Sequence, residues 1–255
     1  MVGAGDNTGN IQSMTIDYEK MDIAGSKILT KEDKEIAKNG FDKGVALAHK
    51  HKEAMMRNLF RTRYVKDTAS PDITIDQMIK KFKKLKPAHK DLKYLITEMY
   101  RIHGTFIIGE VARTKARAKR LKAKGVSWTN NSRHTWNPPT AADVVPKRKG
   151  KVDYNDIDAL GMYQGIAVTF GEYLKLLPCN IFGSEVEKVI DWKTVRDLYH
   201  IQINVRKECK VEEIVLYWIE HYNYRLVYHG NDITEWFLNG GNLDKTNPYR
   251  IKELF

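Results

Sequence analysis

Apolar residues return at three- and four-residue steps along most of this chain, so helices dominate the reading. Phe41, Val45, Ala48, Met55 and Leu59 form one such series, with Lys52 filling a seam position. Thr30 and Asp33 open it as an approximate capping box, and Glu32 and Asp33 suit the positive end of a helix dipole. This helix is expected to end near Lys66, before the Ser70-Pro71 break. Gly40 and Gly44 inside it each weaken a helix by roughly 1 kcal/mol relative to Ala, but they let a second backbone come close. Thr74 and Gln77 make another capping box, followed by Ile75, Met78, Ile79, Phe82 and Leu85 on an inward face.

The next stretch, Pro87 to Gly125, has no internal proline and reads as one long helix. Leu92, Leu95, Ile96, Met99, His103 and Phe106 give it a packing stripe. After Glu110 it carries cations and no acid, with Arg113, Arg117, Arg120 and Lys124 in one stripe and Lys115, Lys119 and Lys122 beside it. Residues 125–151 hold Trp128, His134, Trp136, Pro138-Pro139 and Pro146, and read as a long connection without regular structure. From Asp153 a helix is expected to reach Leu177, with Gly161, Gly165 and Gly171 favouring close helix packing. Ser184 and Glu187 make a third capping box. Residues 201–205, IQINV, suit a short strand, but their flanks look helical. Residues 211–228 read as an aromatic-rich buried helix, and Asp232 begins a short one.

The expected fold is therefore mainly α. It is a long-helix bundle with a basic N-terminal half and an aromatic-rich, acidic C-terminal helical half. The divisions are an extended N-terminal arm (1–29), a basic long-helix region (30–124), a long Trp/Pro/basic loop (125–151) and a C-terminal helical region (152–255).

Charge sharpens this picture. The formal net charge of +11 is unevenly placed: residues 1–30 carry −2, residues 31–151 carry +18 and residues 152–255 carry −5. Such a field draws phosphate-bearing or acidic partners, although lysines also serve simply to solvate exposed helix faces. The residues expected to meet nucleic acid are Lys80, Lys81, Lys83, Lys84, Arg113, Lys115, Arg117, Lys119, Arg120, Lys122, Lys124, Arg133, Lys147, Arg148 and Lys149. Their job would be phosphate neutralisation, not base reading.

Candidate chemistry is sparse. GAGDNTG near the N-terminus lacks the preceding strand and following GK[ST] of a phosphate loop, and no HExxH, CxxC, GxSxG or EF-hand pattern occurs. His49 and His51 point to different sides of a helix, and His221 and His229 have no carboxylate or cysteine at ligand spacing. Asp153, Asp156 and Asp158 cluster as acids that hold Mg²⁺ do, but acids at a helix start are expected for the dipole alone. No catalytic residue, metal or cofactor is expected on this reading. Cys179 and Cys209 allow a single disulfide but suit free buried thiols in a reducing compartment better. The N-terminus has no basic or apolar signal-peptide region, and no stretch is apolar enough to span a membrane.

The sequence thus points to a non-enzymatic structural or assembly subunit of a large nucleic-acid-containing particle. A virion connector, ring or internal protein fits best. Expected partners are copies of itself or other assembly subunits, together with nucleic acid or an acidic protein surface. The expected location is a virion or the cytoplasm. The alternatives are a sequence-nonspecific DNA- or RNA-binding accessory factor and an unrecognised metal-dependent nuclease.

Overall fold

The computed structural model describes residues 16–64, 74–125, 127, 129, 131–173, 192–203, 216–220, 225, 227–228, 231–232 and 234–239. It is mainly helical, with a small four-stranded sheet. The expected capping box at Ser184 and the two cysteines lie outside the described residues.

Helix α1 spans Tyr18–Gly25, where the sequence suggested an extended arm. Asp17 starts it, its carboxylate accepting from the Glu19 and Lys20 backbone N–H groups at 3.1 Å. Helix α2 is Lys31–Tyr64, as the periodicity predicts. Thr30 and Asp33 form the expected reciprocal cap, at 3.0 and 3.1 Å. Helix α3 is Ile75–Lys81, with the Thr74/Gln77 capping box present.

The single long helix expected over Pro87–Gly125 does not form. It is divided into helix α4 (Lys90–Ile102), strand β1 (Phe106–Ile108) and helix α5 (Lys115–Ala123). His103 leaves helical geometry at φ −144°, ψ 75°, and Gly104 follows. Phe106, Ile107 and Ile108 then bury completely by pairing with a distant strand, which outweighs a locally continuous helical period. Thr114 caps α5, accepting from Arg117 N–H at 3.2 Å, so the basic helix has its own start.

The loop expected over residues 125–151 is also corrected. Residues Ala141–Arg148 are strand β2, the centre of the sheet, and its first six residues are buried. It pairs antiparallel with β1 (Ile108↔Val144), with β3 (Lys151–Val152, Lys147↔Val152) and with β4 (His200–Gln202, Asp143↔His200). Pro146 is tolerated opposite Phe106 at the end of that pairing.

Helix α6 (Ile157–Tyr173) lies directly on α2. Gly40, Gly44, Gly161 and Gly165 sit where any Cβ would fall 2.0–2.1 Å from a carbonyl oxygen of the opposing helix. The close packing suggested by these glycines is thus present. Helix α7 (Val195–Tyr199) follows and feeds straight into β4. Among the described residues no helix is long and apolar enough to cross a membrane.

Candidate metal centre

Four backbone segments converge behind the sheet. The connection from Gly109 to Arg113, between β1 and α5, is their scaffold. Its Glu110 carbonyl accepts from Asp143 N–H at 2.7 Å, and its Arg113 N–H donates to the His134 carbonyl at 2.9 Å. Gly109 N–H donates in turn to the Asp143 carbonyl at 2.7 Å. Ser132 caps a 3-10 turn, Arg133–Thr135, that presents His134. Asp143 and His200 stand opposite one another in the β2–β4 register, so their side chains meet across the pair.

The result is a triangle of His134, Asp143 and His200. His134 Nε2 lies 3.0 Å from His200 Nδ1 and 3.2 Å from Asp143 Oδ1. His200 Nδ1 lies 3.3 Å from Asp143 Oδ1. His134 and Asp143 are each 1% exposed, which removes water as the general solvent for these groups. Ligands on a tetrahedral zinc at the usual bond lengths stand about 3.3 Å apart, close to all three edges.

The outer hydrogen bonds settle which atoms face inward. His134 Nδ1 is 2.9 Å from the Val111 carbonyl, which only accepts, so Nδ1 carries the proton and Nε2 presents its lone pair. His200 Nε2 is 3.0 Å from Gln202 Oε1, so the inward atom is Nδ1. Gln164 of α6 fixes the same segment, donating from Nε2 to the Leu198 and His200 carbonyls at 2.9 Å each. Three electron-pair donors therefore crowd one small volume. A proton on one ring relieves part of that repulsion, whereas a divalent ion relieves every edge.

Asp143 adds two observations. Burial alone would raise its carboxyl, but attraction to the adjacent His134 and His200 rings holds it well below the usual carboxylate range. Its Oδ2 is buried without a hydrogen-bond partner. The nearby cation is Arg113 Nη2 at 3.8 Å, beyond hydrogen-bond reach. The residues present thus fit a metal ion: two imidazole nitrogens, one carboxylate with a spare oxygen, and an outer hydrogen bond on each ring.

Most of the cations expected to hold nucleic acid lie elsewhere. Lys80, Lys81 and Lys83 are exposed near α3, and Lys115, Lys119, Arg120, Lys122 and Lys124 are exposed on α5. Lys147, Arg148 and Lys149 are exposed at the β2–β3 turn, where Lys149 takes φ +46° and Gly150 φ +80°. Others are already engaged. Lys84 donates to the Gly109 carbonyl at 2.8 Å and lies over the Tyr18 ring. Arg113 is buried against Glu110, and Arg117 is bound by Glu110 and Asp22. Arg133 stacks on Trp136 with its guanidinium carbon 3.9 Å from the ring centroid. The continuous stripe from Arg113 to Lys124 is broken, because Arg113 lies before α5 and points inward.

The acids considered for Mg²⁺ do not converge. Asp153 and Asp156 cap local backbone N–H groups, and Asp158 pairs with Lys43 at 2.7 Å. Among the described residues the one His/Asp cluster at ligand spacing is His134, Asp143 and His200. The sequence reading missed it because two of its members are 57 positions apart. The available signal was a lone acid inside the apolar run AADVV, a placement that demands a partner.

No protein-family model matches this chain, and no curated protein matches it. Among solved structures, the crystal structure of Serratia marcescens L-Ala D-Glu endopeptidase ChiX is similar at 28% sequence identity. The match covers 48% of this chain and 84% of that one, with a TM-score of 0.36. At that score the likeness carries no argument for a shared activity, and the reading below rests on the geometry. The buried metal-ligand triangle overturns the expectation of a non-enzymatic virion or assembly subunit.

Proposed function

We propose that this protein is a zinc-dependent hydrolase whose metal is held by His134, Asp143 and His200. The observation that carries the proposal is the inward convergence of His134 Nε2, His200 Nδ1 and the Asp143 carboxylate, with each ring's other nitrogen donating to a fixed acceptor. Three protein ligands with a fourth position left open is the pattern of catalytic zinc, and imidazole suits zinc better than magnesium. When bound, zinc supplies Lewis acidity that activates water and polarises a scissile carbonyl or phosphoryl group.

The chain's own residues do the rest. Val111 and Gln202 hold the two imidazoles in the tautomers that can ligate. Asp143 stays ionised despite burial and balances part of the metal's charge. Arg113, fixed by Glu110 through two hydrogen bonds at 2.8 and 2.5 Å, keeps a second positive charge beside Asp143. A single His-rich centre favours amide or peptide hydrolysis over two-metal phosphodiester cleavage, which uses paired ions about 3.5–4 Å apart. The nuclease alternative is thus retained only as an outcome of the assay. The exposed face of α5 supports an anionic partner or substrate, with Lys115, Lys119, Arg120, Lys122 and Lys124 facing solvent.

The test is metal content with activity. Purified wild-type protein should hold about one zinc per chain by elemental analysis, and His134→Ala, Asp143→Ala and His200→Ala should each lose it. The zinc-loaded protein should cleave members of a peptide library and leave single- and double-stranded DNA intact. DNA cleavage with intact peptides would shift the substrate class to phosphodiesters. Failure of the wild type to bind zinc at micromolar concentration would overturn the proposal.

A further inference from the structure

Two halves of the metal centre are built on separate parts of the chain. His134 and Asp143 hang from the Gly109–Arg113 connection, through Val111 and Glu110 carbonyls. His200 comes from the end of α7, more than 50 positions later. Something must set the spacing of these halves, because a tetrahedral ion tolerates only a few tenths of an ångström of mismatch in bond length.

One carboxylate touches both halves. Asp22, on α1, accepts from Arg196 Nη2 of α7 at 2.6 Å and from Arg117 Nη2 of α5 at 3.2 and 3.3 Å. On the first side, Arg196 lies one helical turn before His200. Its Nε and Nη1 are buried and have no hydrogen-bond partner, so Asp22 supplies the ion pair that compensates this charge. On the second side, Arg117 Nε donates to Glu110 Oε1 at 2.8 Å, while Glu110 Oε2 binds Arg113. The Glu110 carbonyl is the acceptor for Asp143 N–H. Helix α1 is also strapped to α7 through its own continuation: Leu29 N–H donates to the Lys193 carbonyl at 2.9 Å, and Val195 N–H to the Lys27 carbonyl at 3.0 Å. Met21 closes the same face, buried against Gly109.

We infer that Asp22 is a positioning residue of the metal centre, the shared counter-ion that sets His200 at ligating distance from His134 and Asp143. This rests on the zinc reading above. Neutralising Asp22 leaves the buried Arg196 charge uncompensated, and a buried unpaired charge moves toward water rather than stay. Arg196 lies in the first turn of α7, so a shift of this residue toward water pulls on the helix that carries His200. The Arg117–Glu110 pair survives, so the damage falls on the His200 half.

The test uses the full-length protein. Zinc affinity is measured by competition with a chromophoric chelator, and the visible spectrum of the cobalt-substituted protein reports ligand geometry. Asp22→Asn should weaken zinc binding 10- to 100-fold, the range for loss of a group that orients a ligand. It should also alter the cobalt band. Asp22→Glu should restore much of both, and Lys20→Ala, on the exposed side of α1, should change neither. Arg196→Gln provides a second route if Asp22→Asn does not fold: it breaks the α1–α7 tie without leaving a buried charge, and should weaken affinity less than Asp22→Asn but measurably. Unchanged affinity and an unchanged cobalt spectrum in variants that merely melt earlier would overturn the inference, leaving Asp22 a fold residue. A wild type that binds no zinc would instead refute the zinc reading, so the two failures are distinguishable.

Discussion

Replacing Gly165 with alanine sets two known effects against each other. Alanine gains about 1 kcal/mol over glycine in a helix interior. At this position, however, its Cβ would lie 2.1 Å from the Phe41 carbonyl oxygen and 3.0 Å from Val45 N, both backbone atoms of α2. Backbone cannot rotate out of the way, so the helices must part by about 1 Å to reach ordinary contact. Overpacking of this kind costs about 1–3 kcal/mol and occasionally more. At 2.1 Å the contact lies far inside the closest approach of real Cβ atoms, so the upper end of that cost applies and, after the helix-propensity gain, a net loss of about 2 kcal/mol is expected. The neighbouring residue carries the effect to the metal centre. Gln164 holds the Leu198 and His200 carbonyls at 2.9 Å, and a shift of α6 disturbs those bonds. Urea unfolding of the metal-free protein, followed by circular dichroism, gives the stability change; a chelator competition gives zinc affinity. Both should fall. Gly44→Ala, with its Cβ 2.1 Å from the Met162 carbonyl oxygen, should behave alike. The double variant should lose less than the two losses added, since one separation relieves both clashes. A Gly165→Ala protein as stable as wild type would refute the claim that these backbones touch.

Three further outcomes follow from the same structure. Glu110→Gln removes the charge that holds buried Arg113 and half-buried Arg117, so unfolding should become easier by about 3 kcal/mol, measured in urea; a change under 1 kcal/mol would show that Asp143 and Asp22 suffice. His103 is held below its ordinary pKa by burial, only partly offset by Asp156. Its depressed value means that stability is full above about pH 6.5 and declines as pH falls through the folded value. His103→Asn should flatten that decline in melting curves taken between pH 7 and 5, and parallel curves would exclude His103 as the group. On α5, Lys115→Glu, Lys119→Glu and Lys122→Glu together should weaken binding to a duplex DNA or polyphosphate probe without lowering the melting temperature. If all five exposed cations of that helix contact duplex phosphates, the log–log salt slope is about −4.5. A salt-independent wild type would mean that these lysines only solvate the surface.

Elements whose causes are local can be read from the order of residues alone. Capping pairs act over three residues, so Thr30/Asp33 and Thr74/Gln77 could be read directly and mark the true starts of α2 and α3. Glycines at four-residue steps likewise signalled close helix packing, although only the structure makes α2 and α6 the partners. Pairing between distant segments, by contrast, emerges only in the folded chain. Phe106 to Ile108 fits a helical stripe, and becomes a strand because Val144 to Pro146 offers it a partner. Ala141 to Arg148 looks like a proline-broken loop until β1 and β4 supply its hydrogen bonds. The metal centre belongs to the same class. No spacing rule links His134, Asp143 and His200, because a cross-strand register brings the last two together and the Gly109–Arg113 connection seats the first. Charge was legible along the chain but not in space. Arg113 and Arg117 look like exposed cations in the sequence, and tertiary burial turns them into the counter-ions of Glu110, Asp22 and the site beside Asp143.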